Sequence, residues 1–297
     1  MPVTFGAAER HVCGLFSVGS QFIYRGVEYR VSCVGKPTCS RGEPKTDVYV
    51  LATSPRGERE FKISFKKENA DFLENKTNSE RAEQLFGRNW SSIIRNATTN
   101  LYSEFEARPL IYKNSYRRTE AGAITLGWKF ELLNVDSGAL SGDMLLSRAQ
   151  VVDVYAGTNL MGDKRDSVVN GRTIRDSGIA NFILFEDRIP WTVQEAADLL
   201  MTVDDYVDAN PHVYFSCKAL NYRTSYEKYD GNRPLAVYVD WSVFNGQLCS
   251  RLVYDTPLAQ GGDYAYDKLE RALRTLGVRT TNDLSVRNVA DPSIIYG

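Results

Sequence analysis

Asp47 and Lys66 are the residues of this 297-residue chain whose types and spacing suit chemistry best. Asp47 heads an alternating run, Asp47-Val48-Tyr49-Val50-Leu51. Lys66 stands near the end of a second, Glu60-Phe61-Lys62-Ile63-Ser64-Phe65-Lys66-Lys67. The Ser54-Pro55-Arg56-Gly57 tetrapeptide between them has the residue order of a type I turn, with Ser first, Pro second and Gly fourth. If Pro55 and Arg56 form the corner, Ser54 faces Gly57, and counting back along both strands sets Asp47 opposite Ser64. Lys66 then projects from the same face, because side chains alternate across a strand. Val48, Val50, Phe61, Ile63 and Phe65 take the other face. A carboxylate and an ammonium on the polar side of such a hairpin can hold a metal ion against a phosphate, as metal-dependent phosphodiester cleavage requires.

These residues carry a resemblance. Gly42-Glu43-Pro44-Lys45-Thr46-Asp47 followed by Ile63-Ser64-Phe65-Lys66 resembles the core hairpin of the PD-(D/E)xK nucleases, and within them the type II restriction endonucleases. The resemblance implies that Asp47 binds Mg²⁺ and that Lys66 acts beside it. The family usually places an acid opposite the first one, where this chain has Ser64, and a Pro before it, where this chain has Thr46. Restriction enzymes resembling the CCGG-cutting group carry Ser-x-Lys in this strand and take the missing carboxylate from a following helix, about fourteen residues beyond the lysine. That spacing lands on Glu80, at a helix start capped within Asn78-Ser79-Glu80-Arg81. Glu60, Glu68, Glu74 and Glu83 are the other acids within reach of the role.

A second pairing stays open. Glu60-Phe61-Lys62 also spells acid-x-Lys on the same strand and face, although it requires a corner displaced from Pro55-Arg56. Alternation alone also describes an ordinary amphipathic ribbon with one solvated face.

The surrounding pattern reads as mixed α/β. Residues 12 to 34 alternate enough to suggest strands leading into the Gly42 turn. Residues 67 to 76 and 79 to 86 look helical, with Gly87 as a stop. Ala123 to Val135 and Gln150 to Tyr155 look strand-like. Thr192-Val193-Gln194-Glu195 is a capping box opening a helix to about Val207. Leu235 to Trp241 and Gln247 to Tyr254 predict a hairpin about Asn245-Gly246, and residues 264 to 276 a last helix ended by Gly277. The expected fold is a mixed central β-sheet flanked by helices, a restriction-endonuclease-like core over residues 1–190. A C-terminal helical and hairpin lobe over 191–297 packs on it as one unit. Trp128, Trp191 and Trp241 are read as core, whereas Trp90 suits either setting.

Bulk properties narrow the classes. A net charge of −1 excludes a histone-type basic binder, and 43% hydrophobic residues suffice for a large core. No apolar run is long enough to span a bilayer, and Met1 to Ser20 lacks the pattern of a signal peptide, so the expected compartment is the cytoplasm. Cys13, Cys33, Cys39, Cys217 and Cys249 are odd in number and scattered, which argues for reduced thiols. His11, Cys13, Cys33 and Cys39 lack the Cys-x-x-Cys spacing of a zinc site. Two histidines leave little for Ser-His-Asp chemistry.

Base and phosphate readers are sought in polar stretches that mix cations and amides. Lys113, Asn114, Arg117 and Arg118 form one cluster, and Asn221 and Arg223 belong to another. The combined expectation is a Mg²⁺-dependent, sequence-specific endonuclease of double-stranded DNA with no membrane partner. The alternatives are a homing, repair or phage nuclease of the same superfamily, or a DNA-binding or assembly protein that has lost catalysis, for which Ser64 in place of an acid is the argument. The resemblance further implies a homodimer whose two-fold axis matches a palindromic site.

Overall fold

In the computed structural model, residues 5–40, 42–67, 72–74, 77–186 and 190–297 are described. Ala8, Val12 and Phe16 recur at four-residue spacing and are buried together, so the chain opens with a helix, α1 (Phe5–Leu15), where strand was expected from residue 12. Strands begin at β1 (Gln21–Tyr24) and β2 (Val27–Gly35). The next hairpin joins β3 (Val48–Ser54) to β4 (Gly57–Lys67). Its register pairs Ser54 with Gly57, Leu51 with Glu60 and Val48 with Ile63, as the Pro55-Arg56 corner predicts. Ser54 Oγ secures the turn, accepting from the Arg56 N–H at 3.1 Å and donating to the Gly57 carbonyl at 3.0 Å. After it comes β5 (Phe72–Glu74), a strand inside the stretch expected to be helical. Residues 68–71 and 75–76 of that stretch lie outside the described residues.

Helix α2 (Ser79–Phe86) starts where the sequence places it, with Asn78 Oδ1 accepting from the Arg81 N–H at 2.7 Å, and Gly87 follows its last turn. Next come α3 (Trp90–Thr99), α4 (Tyr102–Glu106), β6 (Ile111–Tyr112), β7 (Ala123–Leu133) and β8 (Ser141–Asp143). Nearly every residue of β7 is buried, which suits a central strand covered on both faces.

The expected strand at 150 to 155 is a helix, α5 (Arg148–Ala156). Ser147 and Gln150 form a reciprocal capping box whose stabilisation outweighs the strand preference of Val151 and Val152. A small ribbon, β9 (Val168–Val169) with β10 (Arg172–Thr173), precedes β11 (Phe182–Glu186), which runs parallel to β4. The single helix expected from 192 to 207 is two: α6 (Val193–Asp198) and α7 (Val203–Ala209), separated by β12 (Met201–Thr202). Thr202 supplies the second cap by accepting from the Asp205 N–H. These strands complete a mixed sheet ordered β1-β2-β3-β4-β11-β12. Its core gathers Val48, Val50, Phe61, Ile63, Phe65 and Phe182 against Ala8 and Val12 of α1 and Ala196 and Ala197 of α6. Trp191, expected in a core, is 80% exposed, while Trp128 and Trp241 are buried.

The remainder is β13 (Tyr214–Arg223), β14 (Lys228–Tyr229), β15 (Val237–Val239), β16 (Ser242–Phe244), β17 (Gln247–Cys249), β18 (Leu252–Val253), α8 (Gly262–Thr275) and β19 (Ile295–Tyr296). A nine-stranded sheet runs β14-β13-β7-β15-β18, with β5 and β6 also on β7, β8 on β13 and β19 on β6. Gly127 marks the closest approach of β7 to β15, where a Cβ would stand 2.5 Å from the Val237 carbonyl oxygen. The hairpin turn at Asn245-Gly246 is as predicted, both residues having positive φ, and α8 ends just before Gly277.

The chain thus folds as two compact units of mixed α/β structure. One comprises Met1–Leu73 with Leu146–His212, the other Glu74–Leu145 with Val213–Gly297. The boundary expected at 190 falls inside the first unit. Among the described residues no helix is long and apolar enough to cross a membrane.

Candidate active site

Asp47 stands at the head of β3, and its own N–H donates to the Ile63 carbonyl at 2.8 Å, which extends the ladder by one pair. Its Oδ2 accepts from the Phe65 N–H at 2.7 Å. Ser64, directly across, is fully buried between β3 and β11, where Ile183 is its neighbour. The Ser64 Oγ has no hydrogen-bond partner among the described residues. Lys66 follows on the same face and is half-buried. Part of Asp47 remains accessible, but its carboxyl is enclosed. Burial pushes that carboxyl up, while the Lys66 ammonium and the Phe65 N–H pull it down. Glu9 pushes it up again and Lys36 draws it down, leaving it pushed up to about 6.

Glu9 is the residue that the sequence reading missed. It is a buried acid on α1, and its Oε1 lies 2.6 Å from the Lys36 ammonium just past β2. Burial draws Lys36 down, but its hydrogen bond to Glu9 and the charges of Glu9, Asp47 and Glu43 more than reverse this, so it sits above the usual lysine value. The first unit therefore sets Asp47 within the fields of Glu9, Lys36 and Lys66, and Lys36 within those of Glu9, Asp47 and the exposed Glu43. One sequence signal points to Glu9. With Val12, Cys13 and Phe16 it follows i, i+3, i+4, i+7 spacing, so an acid lies within the apolar stripe of a helix.

The rival triplet sits elsewhere on the same face. Glu60 pairs with Leu51 and Lys62 with Tyr49, so both lie nearer the turn. Glu60 accepts the Tyr49 hydroxyl at 2.7 Å and lies 3.5 Å from the Lys62 ammonium, a self-contained network. Glu80 is exposed in the first turn of α2, in the second unit. Glu74 pairs with Arg81, Glu83 is exposed, and Glu68 lies outside the described residues.

Of the expected DNA contacts, Asn114, Arg117 and Arg118 are exposed and Lys113 half-buried on the connection between β6 and β7. Tyr116 lies there against Tyr112 and Tyr296, with the Arg117 guanidinium 5.3 Å from its ring centre. Asn221 and Arg223 serve the fold. Asn221 is buried and accepts from Thr125 Oγ1 at 3.1 Å, while Arg223 bridges Glu120 and Asp230. Cys13 and Cys33 carry reduced thiols, Cys39 Sγ donates to the Gly42 carbonyl at 3.4 Å, and His11 Nε2 bonds to the Pro190 carbonyl oxygen.

Among the described residues no three His, Cys, Asp or Glu side chains converge. Asp47 and Glu9 would be the residues to hold Mg²⁺, an ion commonly held by one or two carboxylates completed by water and substrate phosphate. The orphaned Ser64 hydroxyl and a carboxyl that burial holds at about 6 are what an absent hard cation would relieve. Comparison of the chain with protein-family models, with curated proteins and with solved structures returns no match.

Proposed function

We propose that the chain is a Mg²⁺-dependent endonuclease of double-stranded DNA, working as type II restriction endonucleases do. The observation that carries this reading is the Asp47 carboxyl, enclosed opposite Ser64 and within the fields of Lys66 and Glu9. The order of elements in the first unit supports it too: a helix, an antiparallel hairpin bearing the site, a second helix, and a strand parallel to the hairpin's inner edge.

In this mechanism Asp47 and Glu9 are the residues that hold Mg²⁺, which when bound neutralises charge on the scissile phosphate. Lys66 donates its ammonium hydrogens to a non-bridging phosphoryl oxygen, stabilising charge that grows as water attacks. Ser64 Oγ, which has no hydrogen-bond partner among the described residues, would offer its oxygen to the ion, and the apolar residues behind the hairpin keep solvent from its back. By their residue types, Lys113, Arg117 and Arg118 would contact phosphates and Asn114 a base edge. A C2 homodimer presents two such sites to a palindrome.

The test is incubation of the purified chain with plasmid and phage DNA in Mg²⁺, followed by sequencing of the ends. Discrete fragments, lost in Asp47→Ala, are expected. Binding in Ca²⁺ with no cleavage in Mg²⁺ or Mn²⁺ would overturn catalysis and leave a DNA-binding protein, the outcome for which Ser64 in place of an acid argues.

A further inference from the structure

The second unit contains a cavity of about 480 Å³ that takes no part in the site above. One wall is aromatic. The Tyr102 and Tyr254 rings lie 5.5 Å apart at 39°, and Phe105 meets Tyr254 edge-on at 5.8 Å. The polar lining mixes acceptors and donors: the carboxylates of Glu106, which also accepts from the Tyr102 hydroxyl, and of Asp291, with the guanidinium groups of Arg108 and Arg251. Asp240 accepts from Arg251 Nη2 at 2.9 Å. Two polar atoms of the lining residues, Tyr254 Oη and Arg108 Nε, are buried without a hydrogen-bond partner among the described residues. Burial, and after it the Glu106 charge, hold the Tyr254 phenol well above its usual value, so it remains a donor at neutral pH.

The volume falls in the range of small-molecule sites. A ring wall stacks a flat heterocycle, a carboxylate accepts from an exocyclic amine, and a guanidinium donates to a ring carbonyl. We propose that this cavity receives one unstacked nucleotide whose base carries an amino donor beside a carbonyl acceptor, cytosine or guanine, extruded from bound DNA. The extrusion rests on the endonuclease reading; the base pocket itself does not. Stacking on Tyr102 and the two-sided polar edge offset the cost of unstacking the base.

The test separates the two. Calorimetry without divalent ions, using dCMP, dGMP, dAMP and dTMP as probes, should show saturable binding of dCMP or dGMP, with dAMP and dTMP weaker by about tenfold or more. Tyr102 is 53% exposed and Glu106 is also exposed, so Tyr102→Ala and Glu106→Gln leave the fold intact. Each should reduce that binding by about tenfold, while Asp47→Ala leaves it unchanged. No saturable binding, or binding that Tyr102→Ala does not alter, would overturn the pocket whether or not the chain cuts DNA. In Ca²⁺, a duplex bearing 2-aminopurine next to the target base in the same strand should brighten on binding and stay dim with Tyr102→Ala. Mononucleotide binding with a dim duplex would overturn extrusion and assign the cavity to a free nucleotide.

Discussion

Glu9 and Lys36 form a 2.6 Å ion pair in which the carboxylate is buried and the ammonium half-exposed. Their charges act on Asp47 in opposite senses. The Lys36 ammonium meets one oxygen of Glu9, and its flexible stem can carry its charge into water. Lys36 is thus the counter-charge of the buried Glu9 carboxylate.

Lys36→Met removes that counter-charge and leaves Glu9 buried alone. Urea unfolding without divalent ions should show a loss of about 1–3 kcal/mol, the usual cost of a buried polar group left unpartnered. Added Mg²⁺ should recover much of it and raise the variant's Tm more than the parent's. Equal stability of variant and parent, with equal responses to Mg²⁺, would count against this role.

Asp47 makes stability depend on pH in a definite direction. Its folded pKa of about 6 lies above its ordinary value of 3.8, so between these the folded state binds more protons than the unfolded one. Its contribution is therefore most favourable below about pH 4, declines through about pH 6, and is a full penalty above. Asp47→Asn should be more stable than the parent at pH 7.5 by up to about 3 kcal/mol, and no more stable near pH 4. The same change should abolish cleavage. A pH-independent difference between the two unfolding curves would contradict this account.

Lys66→Ala should damage cleavage at least as much as Asp47→Ala, whereas Lys62→Ala should cost roughly tenfold or less. Lys62 lies beside Glu60 and faces Tyr49, toward the turn, while Lys66 acts on Asp47. Single-turnover rates decide, and the reverse ranking would move the site to Glu60-Phe61-Lys62.

Glu9→Gln and Glu80→Gln compare the acid found on α1 with the one chosen by spacing. Loss of a metal-holding carboxylate should lower cleavage by about a hundredfold or more in Glu9→Gln, and Glu80→Gln should stay within a few-fold. Cleavage abolished by Glu80→Gln alone would restore the helix acid of the Ser-x-Lys pattern.

What could be read from the sequence was local. The Ser54-Pro55-Arg56-Gly57 turn encodes its own geometry, so the pairing of β3 with β4 followed from four residues. Asn245-Gly246 and the Asn78 cap were legible for the same reason. The role of Glu9 depends on α1 lying against a sheet whose strands come later in the chain, so its neighbours are not in its own segment. Val151 and Val152 suggested strand, but the Ser147–Gln150 capping box prevailed. Trp191 shows the limit of hydrophobicity as a guide, since a large apolar side chain in an apolar context remained outside the core.

The chain enters each unit twice, which has a consequence for synthesis. Ile63 of β4 waits for Phe182 of β11, about 120 residues later. At roughly 5–20 residues per second, the emerging polypeptide carries an open strand edge for on the order of ten seconds. During that interval the edge is available to other chains, so a ribosome-associated chaperone that shields residues 57–67 should raise the soluble yield. The same threading means that a single cut between residues 74 and 212 parts the two segments of one unit or of both, so such a nick leaves two fragments that must stay together to keep every sheet complete.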